Sequence, residues 1–280
     1  MTTYGVTGAN GFVGSRIAKE LVRHGEVREL TRHSHYKMVL GKPIDASVLR
    51  GVDVLVHCAW DFSAKSWRDI KRINVESTLE LFAAARQAGA GRVVFISTMS
   101  SFEGTKSKYG RAKLAIERRA SQYHPEVAIL RPGLVYDREA GGIVGAMQRV
   151  MGKLPVVPLI GGEQIFYACH SQDLANAVFE VSSGTLPERP LIAAHSQGCT
   201  FKEILETVAA ASGKKVRFVP VPHQLAYAGL RAGEALHLPT PLRSDSIVGL
   251  VNNDPAPQFG GLRTQFRPFT REAIIGGAAA

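Results

Sequence analysis

Long apolar runs are missing from this chain of 280 residues, and none approaches the roughly 20 consecutive apolar residues that cross a bilayer. The N-terminus lacks a basic segment followed by an apolar one and runs almost at once into a glycine turn, so no secretory signal is expected. No membrane partner is expected, and the expected location is the cytoplasm. Cysteine is scarce: Cys58, Cys169 and Cys199 are widely separated and odd in number, a pattern that suits neither a disulfide framework nor a metal site. Reduced, structural thiols and no bound metal are the expectation. Internal repeats are absent too. Basic residues outnumber acidic ones, 34 to 24, for a net charge of +10, yet they are scattered with no run of five. A nucleic-acid face therefore has no support, and a phosphorylated small molecule is the simpler anionic partner.

What is present is an ordinary globular composition, 45% hydrophobic and 21% charged, with ample material for a core. Short apolar runs alternate with amphipathic stretches over the first two-thirds, the mark of βαβ units and a parallel sheet. Strands are expected at 4–7, 27–31, 52–58, 92–97 and 127–130, and helices at 14–24, 67–88 and 108–122. Too few residues separate Thr31 from Asp53 for a full helix and strand, so a third strand, near 38–40, is expected to be abbreviated. Arg28 and Glu29 inside the second strand place it at or near a sheet edge. After about Gly141 prolines cut the chain into short pieces, although 166–181 still reads as a strand and helix that return to the main sheet. The expected fold class is α/β, a Rossmann-type doubly wound parallel sheet with a smaller C-terminal substrate lobe. The nucleotide domain is expected over 1–155 with a returning segment near 163–195, and the lobe over 196–280.

Two motifs carry chemistry. In Thr7-Gly8-Ala9-Asn10-Gly11-Phe12-Val13-Gly14, glycines at intervals of three follow a strand and open a helix. Gly8 permits a tight turn, Gly11 lets the backbone approach a pyrophosphate, and Gly14 lets helix and strand pack closely. The helix N-terminus then offers free N–H groups to phosphate. The second strand ends Thr31-Arg32-His33, and Arg32 favours the extra phosphate of NADP over NAD.

The second motif is Tyr109-Gly110-Arg111-Ala112-Lys113. Four residues bring phenol and ammonium to one helix face. A free tyrosine, with a pKa near ~10, is a poor base at neutral pH. A nearby lysine is expected to bring that value down toward the working range. Eleven residues ahead, Ser97-Thr98-Met99-Ser100-Ser101 supplies hydroxyls able to donate to a substrate oxygen.

With Val56-His57-Cys58-Ala59, Asn74 in Ile-Asn-Val-Glu-Ser-Thr, Leu130-Arg131-Pro132-Gly133 and His170-Ser171-Gln172-Asp173, these motifs stand in an order that resembles the extended branch of the short-chain dehydrogenase/reductase superfamily, the NAD-dependent epimerase/dehydratase family. The resemblance covers roughly residues 3 to 185. It implies that Tyr109 and Lys113 exchange protons with a substrate hydroxyl or carbonyl, helped by Thr98, with Ser100 in reserve. It implies NAD(P) contacts at Gly8, Asn10, Gly11, Phe12, Val13 and Gly14. Further contacts are implied at Arg32, Ala59, Asn74, Tyr109, Lys113 and Pro132. It implies a homodimer paired through the two long helices.

Dehydratases of this kind place an Asp-Glu pair where this chain has Met99 and Ser100, which disfavours elimination of water. The leading expectation is an NAD(P)-dependent oxidoreductase or epimerase of a phosphorylated, nucleotide-linked sugar. The alternative is an NADPH-dependent reductase of a small non-sugar ketone or aldehyde, which the aromatic Trp60, Phe62 and Trp67 suit. A non-catalytic NADP(H) sensor ranks below both. His57 is expected to be structural, Asp173 to cap a helix, and Arg131 to support the cofactor side. Arg243, Ser244 and Asp245 match nucleotide-contacting positions only loosely.

Overall fold

Segments such as Val54–His57 and Arg92–Ile96, apolar towards both faces, have no side to offer water and become central strands. They lie in a computed structural model that describes residues 1–139, 141–236 and 243–275. In chain order, β1 (Thr2–Thr7) leads to α1 (Phe12–Leu21), β2 (Gly25–Thr31) and β3 (Tyr36–Lys37). A 3-10 turn at Ala46–Leu49 precedes β4 (Val54–His57). A helical path then runs through α2 (Trp67–Asp69), a π-helical stretch Ile70–Glu76 and α3 (Ser77–Gln87). It is followed by β5 (Arg92–Ile96), α4 (Lys108–Glu117), α5 (Ala120–Tyr123) and β6 (Val127–Pro132).

The main sheet is parallel throughout, and β1 sits between β2 and β4. The winding therefore reverses at β1, and the crevice beyond the strand ends at such a switch point is where open α/β sheets bind ligands. One core packs between the sheet and α1, around Val6, Ile17, Leu21, Val56 and Val94. The other packs against α3 and α4, around Leu55, Leu79, Phe82, Phe95 and Ile116. This is the doubly wound architecture expected.

Several local expectations shift. The short third strand forms, but at Tyr36–Lys37 rather than 38–40, and it is the edge strand, with β2 one place inside it. Because β3 reaches only the last two residues of β2, Arg28 stays at the open side and donates to Glu26 at 2.9 Å and to the Arg50 carbonyl at 2.6 Å. The helix expected over 67–88 is widened in its middle by the π-helical stretch, and that over 108–122 breaks between α4 and α5.

Beyond β6 the chain adds β7 (Leu134–Tyr136), α6 (Gly142–Lys153), β8 (Val156–Leu159), β9 (Ile165–Phe166), β10 (Ala168–His170) and α7 (Ser171–Ser183). The returning strand differs from expectation: β10 pairs with β7 outside the main sheet, while β11 (Leu191–Ala193) joins the sheet beside β6. Next come β12 (Cys199–Thr200), α8 (Phe201–Ala211), β13 (Arg217–Pro220), α9 (His223–Ala235), α10 (Ser244–Val251) and α11 (Arg271–Ile275). A third core, including Tyr136, Val144, Met151, Ile204, Val208 and Phe269, joins β7, α6, β8, β10, α8 and α11, while α7 and β11 pack into the first core. Among the described residues no helix is long and apolar enough to cross a membrane.

Candidate active site

The glycine turn is built so tightly that side chains are excluded. Gly8 has φ +66°, and a Cβ there would lie 2.9 Å from the backbone of Ala59. A Cβ on Gly14 would lie 2.2 Å from the Gly8 carbonyl oxygen, so α1 can approach the end of β1 only because residue 14 is glycine. On Gly11 the nearest atom to a Cβ would be that same oxygen, at 3.1 Å, with nothing else within 4 Å. The opening of α1 has no side-chain cap and no acidic residue in its first turn. A cradle with bare N–H groups, closed to side chains on one side and open on the other, fits a dinucleotide pyrophosphate.

Its floor is fixed by the Thr7 hydroxyl, which accepts the N–H groups of Cys58 at 3.1 Å and Ala59 at 3.2 Å. His57 lies between the hydroxyls of Thr7 and Thr78, at 2.8 and 3.0 Å, fully buried. Burial pushes its pKa down to about 3, so the ring stays neutral and structural. Asn10 reaches the end of β2 and donates to the Thr31 hydroxyl at 3.4 Å. Thr31 turns the chain by accepting the N–H groups of His33 and Ser34, which leaves Arg32 exposed and without an ion-pair partner among the described residues. Phe12 packs beneath the Arg16 guanidinium, 4.5 Å from its ring centre, and Val13 packs against the core under α1.

Tyr109 and Lys113 come from α4, whose start is held by its own cap and by two outside contacts. Ser107 accepts the Gly110 N–H at 3.0 Å, Asp245 accepts that of Lys108 at 2.9 Å, and Asn252 accepts that of Lys106 at 2.7 Å. A Cβ on Gly110 would lie 2.2 Å from the Ser100 carbonyl, so this glycine lets the helix touch the turn that carries Thr98. The Thr98 hydroxyl accepts the Ser100 N–H at 3.2 Å and keeps its own proton for donation. Pro132, buried at the end of β6, accepts the Met99 N–H at 3.2 Å and steadies the same turn.

Lys113 is 2% exposed and donates to the Ile96 carbonyl at 2.7 Å. Burial pushes its pKa down to about 7, opposed by the nearby Cys58 and Glu117. Tyr109 is half-buried, and its hydroxyl has no hydrogen-bond partner among the described residues. Its pKa is raised by burial, to about 12. The expected lowering of the phenol by lysine is therefore corrected here: the ammonium lies 6.0 Å from the Tyr109 ring centre and is engaged with Ile96.

Around this pair stands an aromatic wall. The Trp60 ring meets Tyr109 edge-on at 5.1 Å and lies 4.6 Å from the Lys113 ammonium, while Phe62, 75% exposed, stacks on Tyr109 at 6.2 Å. Asn74, on the π-helical stretch and fully buried, binds Asp61 between those two aromatics. Trp67 stands apart, beneath Arg111 at 4.7 Å.

Two softer expectations are corrected. Asp173 is not the cap of α7: His170 accepts the Gln172 N–H there, and Asp173 instead binds the Arg267 backbone and guanidinium. Arg131 is committed to Glu117 rather than to the cofactor side. At the loosely matching positions, Asp245 accepts the Lys108 N–H at the start of α4 and Ser244 donates to Glu234, so neither stands free for a nucleotide. Glu117 and the pairing of Asn74 with Asp61 escaped the sequence reading.

The family model described as "NAD dependent epimerase/dehydratase family" matches residues 5–184. A ceramide reductase of Caulobacter vibrioides is 27% identical over 232 residues, covering 78% of this chain and 73% of that protein. A Thermus thermophilus UDP-glucose 4-epimerase, solved in complex with NAD, is 25% identical with a TM-score of 0.64, covering 79% of this chain and 86% of that one. The structure of gox2253 shares the fold over 98% of this chain and 96% of its own, with a TM-score of 0.72 at 19% identity.

Proposed function

The chain belongs to the NAD dependent epimerase/dehydratase family, and from that premise we propose that it is an NADPH-dependent oxidoreductase acting on a ketone flanked by apolar groups. The observation that carries this reading is the position of Tyr109, with Trp60 at its edge and Phe62 on its face. A substrate oxygen reaching the phenol would have its neighbouring carbons beside two aromatic rings, a surface that favours hydrocarbon.

When bound, the nicotinamide supplies or accepts a hydride. Gly8, Gly11 and Gly14, with the first N–H groups of α1 at Phe12 and Val13, would hold the pyrophosphate. Asn10, Ala59, Asn74 and Pro132 shape the surrounding turns, and Arg32 would meet the 2′-phosphate. In the reducing direction Tyr109, kept neutral by its raised pKa, donates its hydroxyl proton to the substrate oxygen. The Thr98 hydroxyl donates a hydrogen bond to the same oxygen as charge develops. The Lys113 ammonium, anchored on the Ile96 carbonyl, would hold the nicotinamide ribose beside Tyr109. Met99 and Ser100 offer no carboxylate to abstract a second proton, so elimination of water is no part of the reading.

A second reading, a nucleotide-linked sugar as substrate, draws support from the likeness to UDP-glucose 4-epimerase and from the net charge of +10. Consumption of NADPH by apolar ketones, set beside that by UDP-, GDP- and dTDP-linked sugars, separates the two. Turnover of the sugars alone would overturn the first. Tyr109→Phe is expected to abolish turnover and leave NADPH binding intact. Full activity in that variant would sink the proposed chemistry.

A further inference from the structure

Glu117 lies one helical turn beyond Lys113, on the same face of α4, and its side chain is 3% exposed. A carboxylate that deep must be paired, and it is: Arg131 of β6 donates from Nε to both oxygens, at 3.1 and 3.2 Å, and from Nη2 as well. A third donor is the Ser97 hydroxyl, at the end of β5. Ser97 stands between Ile96, whose carbonyl receives Lys113, and Thr98. One carboxylate thus ties together α4, β5 and β6 at the point where both candidate catalytic groups emerge.

We propose that Glu117, clamped by Arg131 and Ser97, is a positioning residue that sets the placement and charge of Lys113. The inference rests on the reading of Lys113 given above. A buried ion pair is weak evidence for stability, since apolar replacements often fold as well. This pair has a more specific geometry. Its serine contact adjoins the acceptor of Lys113, and its carboxylate stands one turn along the same helix face. The other groups facing Lys113 are Tyr109 on its own helix, His57 and Cys58 at the end of β4, and the rings of Trp60 and Phe95. Glu117 is the carboxylate acting on it, and it opposes the effect of burial.

The Trp60 ring, 4.6 Å from the ammonium, supplies a readout without any cofactor. The chain has two tryptophans, so in a Trp67→Phe background Trp60 is the sole indole. Its fluorescence is expected to titrate near pH 7, and the titration to vanish on adding Lys113→Met. Adding Glu117→Gln is expected to lower the midpoint by about one pH unit or more, as loss of a neighbouring opposite charge requires. The alkaline limb of kcat/KM should move the same way, and Glu117→Asp should restore both in part. If Glu117→Gln does not fold, Glu117→Gln/Arg131→Met leaves no guanidinium without its carboxylate. It should still lower the midpoint, because the carboxylate acts on Lys113 more strongly than the guanidinium. An unchanged midpoint in a folded variant overturns the positioning role and leaves that of Lys113 standing. Titration and turnover that survive Lys113→Met overturn both.

Discussion

Asn74 commits both ends of its amide to the backbone of Asp61, accepting its N–H at 2.7 Å and donating to its carbonyl at 3.1 Å. The residue so held lies between Trp60 and Phe62, the two rings against Tyr109. The π-helical stretch that carries Asn74 is a departure from regular helix of the kind often found at functional sites. Asn74→Ala is expected to cost about 1–3 kcal/mol, because the Asp61 backbone loses its partners. The specific outcome is a rise in KM for an apolar ketone exceeding any fall in kcat, since the loop and not the phenol is released. Thermal unfolding with steady-state kinetics checks both, and unchanged KM would remove the loop from substrate binding.

Two buried bases make stability rise with pH over separate windows. Lys113 falls from 10.5 to about 7. Between these values the unfolded chain holds a proton that the folded chain lacks, so stability rises with pH through that window. Activity runs the other way: kcat/KM for reduction is expected to fall as pH rises through about 7, because the ammonium is the useful form. Lys113→Met should remove the stability trend as well as the activity.

For His57 the interval lies between 6.5 and about 3. Stability is complete above it and is lost as pH falls, since protonation of the unfolded chain comes first. His57→Gln, able to bridge Thr7 and Thr78 without titrating, is expected to flatten the acid side of a stability profile measured by urea unfolding. Equal slopes in the two proteins would assign acid sensitivity to other groups.

How much of this could be read from the sequence depended on distance along the chain. The glycine turn and the Tyr109–Lys113 spacing are local codes, since a turn's φ angles and one helical turn are fixed by neighbouring residues. The alternation of apolar runs likewise foretold the parallel sheet. Contacts between elements left no such trace. Glu117 and Arg131 sit on a helix and a strand, and nothing in either segment names the other. Asp173 carried the signature of a helix cap but found Arg267, 94 residues away, while His170 took the capping position. The phenol's pKa was misjudged for the same reason, because burial and the pull of Ile96 on Lys113 appear only once the chain has folded. The shift of β3 by two residues reflects a strand too short to set its register from its own pattern.

Trp60 offers a test of substrate class. Its edge-on contact with Tyr109 and its position over Lys113 make it the larger part of the aromatic wall. Trp60→Ala is expected to lower kcat/KM for an apolar ketone roughly 2- to 10-fold, the equivalent of about 0.5–1.5 kcal/mol for an aromatic contact. Activity on a polar ketone of similar size should fall less. Equal losses on both would indicate that Trp60 supports the fold of the site rather than the hydrocarbon of the substrate.

Arg32 decides between the two cofactors. It projects from the end of β2, where Thr31 and Ser34 hold the turn in place, and is exposed with no salt bridge among the described residues, the Asp61 carboxylate feeling its charge only at longer range. A guanidinium so placed gains little in the folded protein alone, whereas a 2′-phosphate would give it a charge-assisted bond. Hydrogen bonds to charged groups contribute about 1.5–3 kcal/mol, so Arg32→Ala is expected to weaken NADPH binding by roughly 10- to 100-fold. NADH lacks the phosphate, and its affinity should change little. Titration of both cofactors against the wild-type protein and the variant, followed by nicotinamide fluorescence, reads the ratio directly. Because ion pairing is screened, the NADPH advantage should also shrink with added salt in the wild-type protein and not in Arg32→Ala. Equal loss of the two cofactors would mean that Arg32 shapes the end of β2 without reading the phosphate.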